Sequence, residues 1–252
     1  MLKVTDAKIL LAGKAAAVDA TTLEASAAMK AIRHKDSGDD WKESLTRLAA
    51  EADIEHRTDE DLRSFDRQHR GKKVSNDEWT STADPDRRIA KMKDGTTHQA
   101  YKAKHVEDLN SNLVLATEVY HEDQTGRSTL QKSVLASQIN LARAGSGTHI
   151  EDVAADKSYH KAQMPASCTE DGLRTYLPGP RRAKKRVWAD KPAGWEEAFR
   201  GNRRRVRRAR GKWMQRRRSE YAERMFMHVC ETSGARRSWL RGMLDVSKRY
   251  LT

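Results

Sequence analysis

KAAAVDATTL, residues 14–23, is the stretch from which the rest of this chain is read. Small apolar residues, Ala15 to Val18, lead into one acid, Asp19, and then into Ala20, Thr21 and Thr22. A short apolar run of this kind predicts a buried strand whose last residue is a carboxylate. An acid in that position either caps the following helix or serves chemistry. Asp19 and Thr21 both suit the cap of a helix beginning near Leu23.

Outward from this strand, Leu23 to Ala31 is rich in Ala and predicts helix. Asp39 and Asp40 precede WKESLTRLAAEA, where Trp41, Leu45, Leu48 and Ala49 fall at helical spacing. Thr58 with Asp61 resembles a capping box and predicts a third helix over 58–69. The pattern fails from Gly71 to Gly95, with turns at Asp84-Pro85-Asp86 and Lys93-Asp94-Gly95. His98–Asp108 and Leu113–Tyr120 then read as a hairpin around Asn110–Asn112. Ser128–Ala144 is amphipathic, with Leu130, Val134, Leu135, Ile139 and Leu141, and Gly145-Ser146-Gly147 ends it. Ile150–Ala155 is a strand ending at Asp156, a helix follows Ser158, and Leu173–Leu177 is a last short strand. This order predicts a single α/β domain with a mixed sheet, helical over 23–71 after the first strand.

From Pro178 to the end the composition turns basic. Pro192 opens a long helical stretch in which Trp195, Phe199, Val206 and Trp213 form an apolar stripe, and Gly201 and Gly211 are the expected bends. Arg203, Arg204, Arg205, Arg207, Arg208, Arg210, Arg216, Arg217 and Arg218 lie along it, and Arg236, Arg237 and Arg241 extend the charge. The whole chain has 252 residues, 34% of them charged, and a net charge of +13. Such a balance points first to a nucleic-acid partner and only then to an anionic membrane surface. The two cysteines, Cys168 and Cys230, are too far apart and too few for a zinc site or a disulfide framework. Asp6 and Lys8 interrupt the apolar N-terminus, which argues against a signal peptide, and no run is long enough for a membrane span. The expectation is a soluble, cytoplasmic protein.

Three acids carry the chemical reading. Asp19 and Asp156 each follow small apolar residues, AAAVD and VAAD, so two adjacent strands could present both at one sheet edge. Glu223 lies in YAERMF, within the basic helical region. Three converging carboxylates could hold two divalent ions, Mg²⁺ or Mn²⁺, of the kind that activate an attacking oxygen and stabilise a leaving one. Arginines around them would grip a phosphate backbone. Taken singly, Glu223 also reads as an i,i+4 salt-bridge partner and Asp156 as a helix cap.

Several stretches together carry a family resemblance: VDATTLEASAAMKAI (18–32), SNDEW (75–79), ADPDRRIAKMKDGTTHQAYKAKH (83–105), VAADKSYH (153–160), GNRRRVRRARGK (201–212), ERMFMHVCETSGARRSWLRG (223–242) and KRYL (248–251). Through them the sequence resembles bacterial insertion-sequence transposases of the DDE type. The resemblance implies a ribonuclease-H-like fold, with 23–71 as a helical insertion and 178–252 as the basic region carrying the late glutamate. It implies Asp19, Asp156 and Glu223 as catalytic and metal-holding residues. The reaction implied is metal-dependent cleavage of DNA at element ends, followed by attack of the freed 3′-hydroxyl on target DNA. Phosphate contacts would come from Lys91, Lys93, Arg203, Arg204, Arg205, Arg207, Arg208, Arg216, Arg217, Arg236, Arg237 and Arg241. Lys157, Tyr159 and His160 directly follow the second acid and would touch the scissile phosphate, orient Asp156 or simply pack. The implied partner is DNA, engaged by a homo-oligomer, with no small-molecule substrate and no membrane.

The sequence also departs from that family. Relatives usually carry a helical DNA-binding region before the first acid, and only 18 residues precede Asp19 here, so a truncated copy is expected. Relatives also continue with a closing helical segment past Lys248–Leu251. Ser158 stands where Gly is common, Thr125-Gly126-Arg127 where a Gly-Asp pair is common, and Cys230 where a lysine would follow the late glutamate. The alternative function is therefore an inactive remnant that binds DNA without cutting it, and a third is a metal-dependent nuclease or resolvase of the same fold.

Overall fold

The computed structural model describes residues 13–26, 29–53, 58–68, 75–92, 95–124, 126–180 and 186–251. Its centre is β1 (Ala15–Ala25), which runs 11 residues and passes through Asp19 without ending there. The helix predicted over Leu23–Ala31 does not form in its first part. Residues 23–25 are strand, Met29–Ala31 is a 3₁₀ turn, and Ile32–His34 is strand β2. The cause is the partner strand β5 (Thr97–Asp108), which pairs antiparallel with β1 from Ala16↔Asp108 to Glu24↔Ala100. Alanine's helix preference is a weak local prior, and a full-length ladder with β-branched Thr21 and Thr22 outweighs it.

Strand β6 (Val114–His121) flanks β5, antiparallel, and β4 (Arg88–Lys91) extends the same edge. On the other side of β1 lies β7 (Asp152–Ala155), parallel, and beyond it β8 (Arg174–Tyr176), also parallel. The two-residue β9 (Arg237–Ser238) joins the far end of β1. The sheet is therefore mixed, and the α/β class read from the sequence is the observed one. Strand β3 (Trp79–Ser81) pairs with β2 in a separate small ribbon.

Alternation along the strands sends side chains to two covered faces. Ala16, Val18, Val106, Val153 and Ala155 pack on one face against Leu130, Val134 and Leu141 of α4 (Gly126–Arg143) and Met164 and Cys168 of α5 (Met164–Glu170). Ala15, Ala17, Ala154 and Tyr176 pack on the other against Met214 and Tyr221 of α7 (Ala209–Met227). Farther along that face, Leu23, Ala25, Tyr101 and Ala103 meet Cys230 and Val246, the latter on α8 (Met243–Leu251). The excursion after β1 has a core of its own. Leu45 and Ala49 of α1 (Trp41–Glu51) meet Leu62 of α2 (Asp59–Gln68). Asp40, one of the acids expected at the start of α1, forms a reciprocal capping box there with Glu43, and Thr58 and Asp61 bond reciprocally before α2, as their sequence implied. A single turn of helix, α3 (Ser75–Glu78), precedes β3.

The basic helical stretch is two helices, α6 (Trp195–Arg207) and α7, broken at Arg208, whose backbone is extended. Gly201 lies inside α6 and Gly211 inside the first turn of α7, so neither glycine is the break. Gly211 permits the corner instead. A Cβ there would lie 2.2 Å from the Arg205 carbonyl oxygen and 2.7 Å from Val206 Cα. Asn202 fixes α6 to the sheet, accepting from Leu177 N and donating to Leu177 O, each at 2.9 Å.

A buried polar knot closes the molecule. Asp84 accepts from Arg87 Nε at 2.7 Å, from the Tyr101 hydroxyl, and from Gly242 N at 2.8 Å. Asp86 accepts from Met243 N at 2.8 Å, so the predicted 84–86 turn also holds the start of α8. Among the described residues, no helix is long and apolar enough to cross a membrane.

Candidate active-site cleft

Val18 on β1 pairs with Ala155 on β7, so Asp19 and Asp156 are the next residue on each of two parallel neighbours. Adjacent strands lie about 4.8 Å apart, which brings both acids to one region of the sheet. Helix α7 crosses above them. Gln215 Nε2 donates to Tyr176 O at 2.5 Å and to Ala155 O at 3.4 Å, which pins the helix over the ends of β7 and β8. Helical spacing then carries Arg218, Ser219, Ala222 and Glu223 over the same region. A cleft of about 830 Å³ is lined by Asp19, Asp156 and Glu223 together, with Lys102, Tyr159 and Arg218 in its walls. Gly126 opens α4 against Tyr159, where a Cβ would lie 2.7 Å from the ring.

The acids share the cleft without forming a cluster. Arg218 Nη1 donates to Asp19 Oδ2 at 2.5 Å, and Asp19 Oδ1 accepts from Ala20 N at 2.8 Å. Asp156 Oδ1 accepts from Lys157 N at 2.6 Å, capping the 3₁₀ turn Lys157–Tyr159. The capping reading of Asp156 is thus correct, alongside its place in the cleft. Glu223 is exposed on α7. Among the described residues, no group of three or more His, Cys, Asp or Glu could hold a metal ion. The oxygen donors suit Mg²⁺ or Mn²⁺ in kind. Their arrangement, with Arg218 on Asp19, does not fit the expected two-metal site.

Strand β5 carries buried acid-base groups near Asp19, outside the residues that line the cleft, which the sequence did not reveal. His105 and Glu107 of β5 lie opposite Asp19 and Ala17, both buried. Burial, and then the charge of Asp19, pushes the Glu107 carboxyl up to about 7. Burial pushes the His105 imidazole down to about 4. On the opposite face of β5, Lys104 donates to the Thr129 hydroxyl and sits 5.2 and 5.1 Å from the Tyr120 and Tyr159 rings. Burial lowers its ammonium to about 7. Burial, then the Asp19 charge, also raises the Tyr159 phenol, which stays protonated.

Among the described residues, none of the expected phosphate-gripping residues lines the acid cleft. Arg205 and Arg208 line a separate basin with Lys14 and Glu151, at the starts of β1 and β7. From Arg208 to Glu223 the chain advances about 22 Å along α7, at ~1.5 Å per residue. Arg205 is half-buried and donates from Nε to Thr175 O at 3.1 Å. Arg203, Arg204, Arg207, Arg208 and Arg216 are exposed. Arg217 lies over the Tyr221 ring at 4.4 Å, and Arg236 pairs with Glu231. Arg237 lies over the Trp239 ring at 5.4 Å. Lys91 and Arg241 are exposed, and Lys93 lies outside the described residues. His160, read as a possible phosphate contact, packs edge-on against Phe199 of α6, with ring centroids 5.3 Å apart. Arg218 was named in the sequence only as one of an arginine run, yet it is the one that lines the cleft and bonds Asp19, and nothing in such a run marks which residue turns inward.

No family model matches this sequence, and no curated protein or solved structure matches it.

Proposed function

We propose that this chain is the catalytic domain of a DDE-type transposase, cutting DNA phosphodiesters at the cleft and joining the freed end to target DNA. The observation that carries this reading is the shared cleft of Asp19, Asp156 and Glu223, three acids far apart in sequence. The strand order supports it, because three antiparallel strands, β6-β5-β1, continue into parallel β7 and β8 in the manner of a ribonuclease-H-like sheet. The net charge of +13 supports a polyanionic partner. On this reading Lys102 and Arg218 offset the phosphate charge in the cleft, and Arg218 exchanges Asp19 for the substrate. No step is assigned to a metal, since the acids as arranged do not gather around one.

That same arrangement favours a second reading, a DNA-binding remnant that no longer cuts. The contact of Arg218 with Asp19 at 2.5 Å neutralises the first acid where an active site would need it free for other duties. A labelled duplex containing the element end, incubated with the chain in Mg²⁺ or Mn²⁺ buffer, separates the two. Cleavage by the chain and none by Asp156→Asn supports the enzyme; binding without cutting by either supports the remnant.

A further inference from the structure

We propose that the basin at the α6–α7 corner is a second site for nucleic-acid backbone, remote from the acid cleft, in which Arg174, Arg208 and Arg210 with Lys14 hold phosphate groups of duplex DNA. The basin measures about 570 Å³ and lies at the starts of β1, β7 and β8. Its construction is specific. Asp152, fully buried, accepts from Arg174 Nε at 2.6 Å through one oxygen and from Arg210 Nη2 at 2.5 Å through the other. One carboxylate thus fixes two guanidinium groups side by side, and both arginine side chains remain more than half exposed, at 53% and 57%. Arg205, held by Thr175 O, forms the wall behind them.

Charge balance points to an anion. Five cations, Lys14, Arg174, Arg205, Arg208 and Arg210, face two acids, Glu151 and Asp152. Asp152 and Glu151 offset two of the five, Glu151 pairing with Lys14 at 3.3 Å and with Arg174 at 3.0 Å, and the excess positive charge is repulsion that an external anion would relieve. Guanidinium forks match phosphate oxygens in geometry, and here two are already oriented before the ligand arrives. The spread of charge from Lys14 to Arg208 favours a chain of phosphates over a single one. A duplex rises about 3.4 Å per base pair, so the ~22 Å between this corner and Glu223 corresponds to about six or seven base pairs. The inference rests on the nucleic-acid reading above and adds a grip away from the reacting phosphate.

The test measures the salt dependence of binding to a duplex of about 30 base pairs, for the parent chain and for Lys14→Gln/Arg208→Gln. Neither substituted residue holds Asp152, so thermal unfolding of the double variant should match the parent. The expected result is a slope of log K against log salt shallower by about one to two, since each phosphate contact contributes ~0.9. An unchanged slope overturns the basin and leaves the cleft reading intact. A parent chain that binds no duplex overturns both. Inorganic phosphate that raises the melting temperature of the parent but not of the variant, with duplex affinity unchanged, overturns the nucleic-acid assignment in favour of a small anion.

Discussion

Arg218 meets Asp19 at 2.5 Å, with side chains only 12% and 25% exposed. A charged hydrogen bond in such a setting contributes about 1.5–3 kcal/mol, so Arg218→Gln should lower the urea-unfolding free energy by about that amount. An unchanged midpoint would mean that the pair is not held in solution. Below it, Glu107 gives the fold a pH signature. Its carboxyl is raised from 4.5 to about 7, so the folded chain holds that proton more tightly than the unfolded one. The stability linked to it is complete below pH 4.5 and is lost as pH rises to about 7. His105 acts in the opposite sense: lowered from 6.5 to about 4, its contribution is complete above 6.5 and is lost as pH falls toward 4. Glu107→Gln removes the first effect. Its melting temperature should exceed that of the parent at pH 8 by several degrees, at ~2–4 °C per kcal/mol, and match it near pH 4.5. A variant no more stable than the parent at pH 8 would show that Glu107 is not ionised in a buried site.

Helices α1 and α2, the β5–β6 hairpin, α4, β7 and β8 were all legible in the sequence, because each combines a clear period with a cap or turn of known chemistry. Strand β1 was legible only to Asp19, though it runs on to Ala25. Leu23 and Ala25 pack against Cys230 and Val246, residues more than two hundred positions away, and local composition cannot encode that contact. His105 and Glu107 were hidden for a related reason: charge normally marks an exposed face, yet β5 is buried on both sides. The corner between α6 and α7 was misplaced because glycine was taken as a breaker. Gly211 instead admits the Arg205 carbonyl, 2.2 Å from where a Cβ would stand. Gly211→Ala should therefore cost about 1–3 kcal/mol in denaturant unfolding, the usual range for overpacking. A neutral or stabilising result, as for an ordinary helical Gly→Ala change, would mean that the two helices do not pack so closely.

Across the whole molecule, charge is divided by distance along α7. Its first residues belong to the basic basin and its later ones to the acid cleft. Sequence proximity had joined the arginine run to Glu223, and the length of α7 separates the run's first part, Arg205, Arg208 and Arg210, from that acid, while Arg218 lines the same cleft. Asp19, Asp156 and Glu223 line one cleft, although β1 runs on past Asp19 and does not end there, while the inward turn of Arg218 had no sequence signal. Groups that act as one catalytic unit are strongly non-additive, so losing one costs nearly as much as losing all. The most direct measurement is the single-turnover cleavage rate of an end-containing duplex in Mg²⁺ or Mn²⁺ buffer by the parent, Asp19→Asn, Asp156→Asn, Glu223→Gln and the triple variant. The account predicts that each single variant falls to about the level of the triple. A Glu223→Gln chain that cuts as fast as the parent, or a parent that cuts no faster than the triple variant, would contradict it.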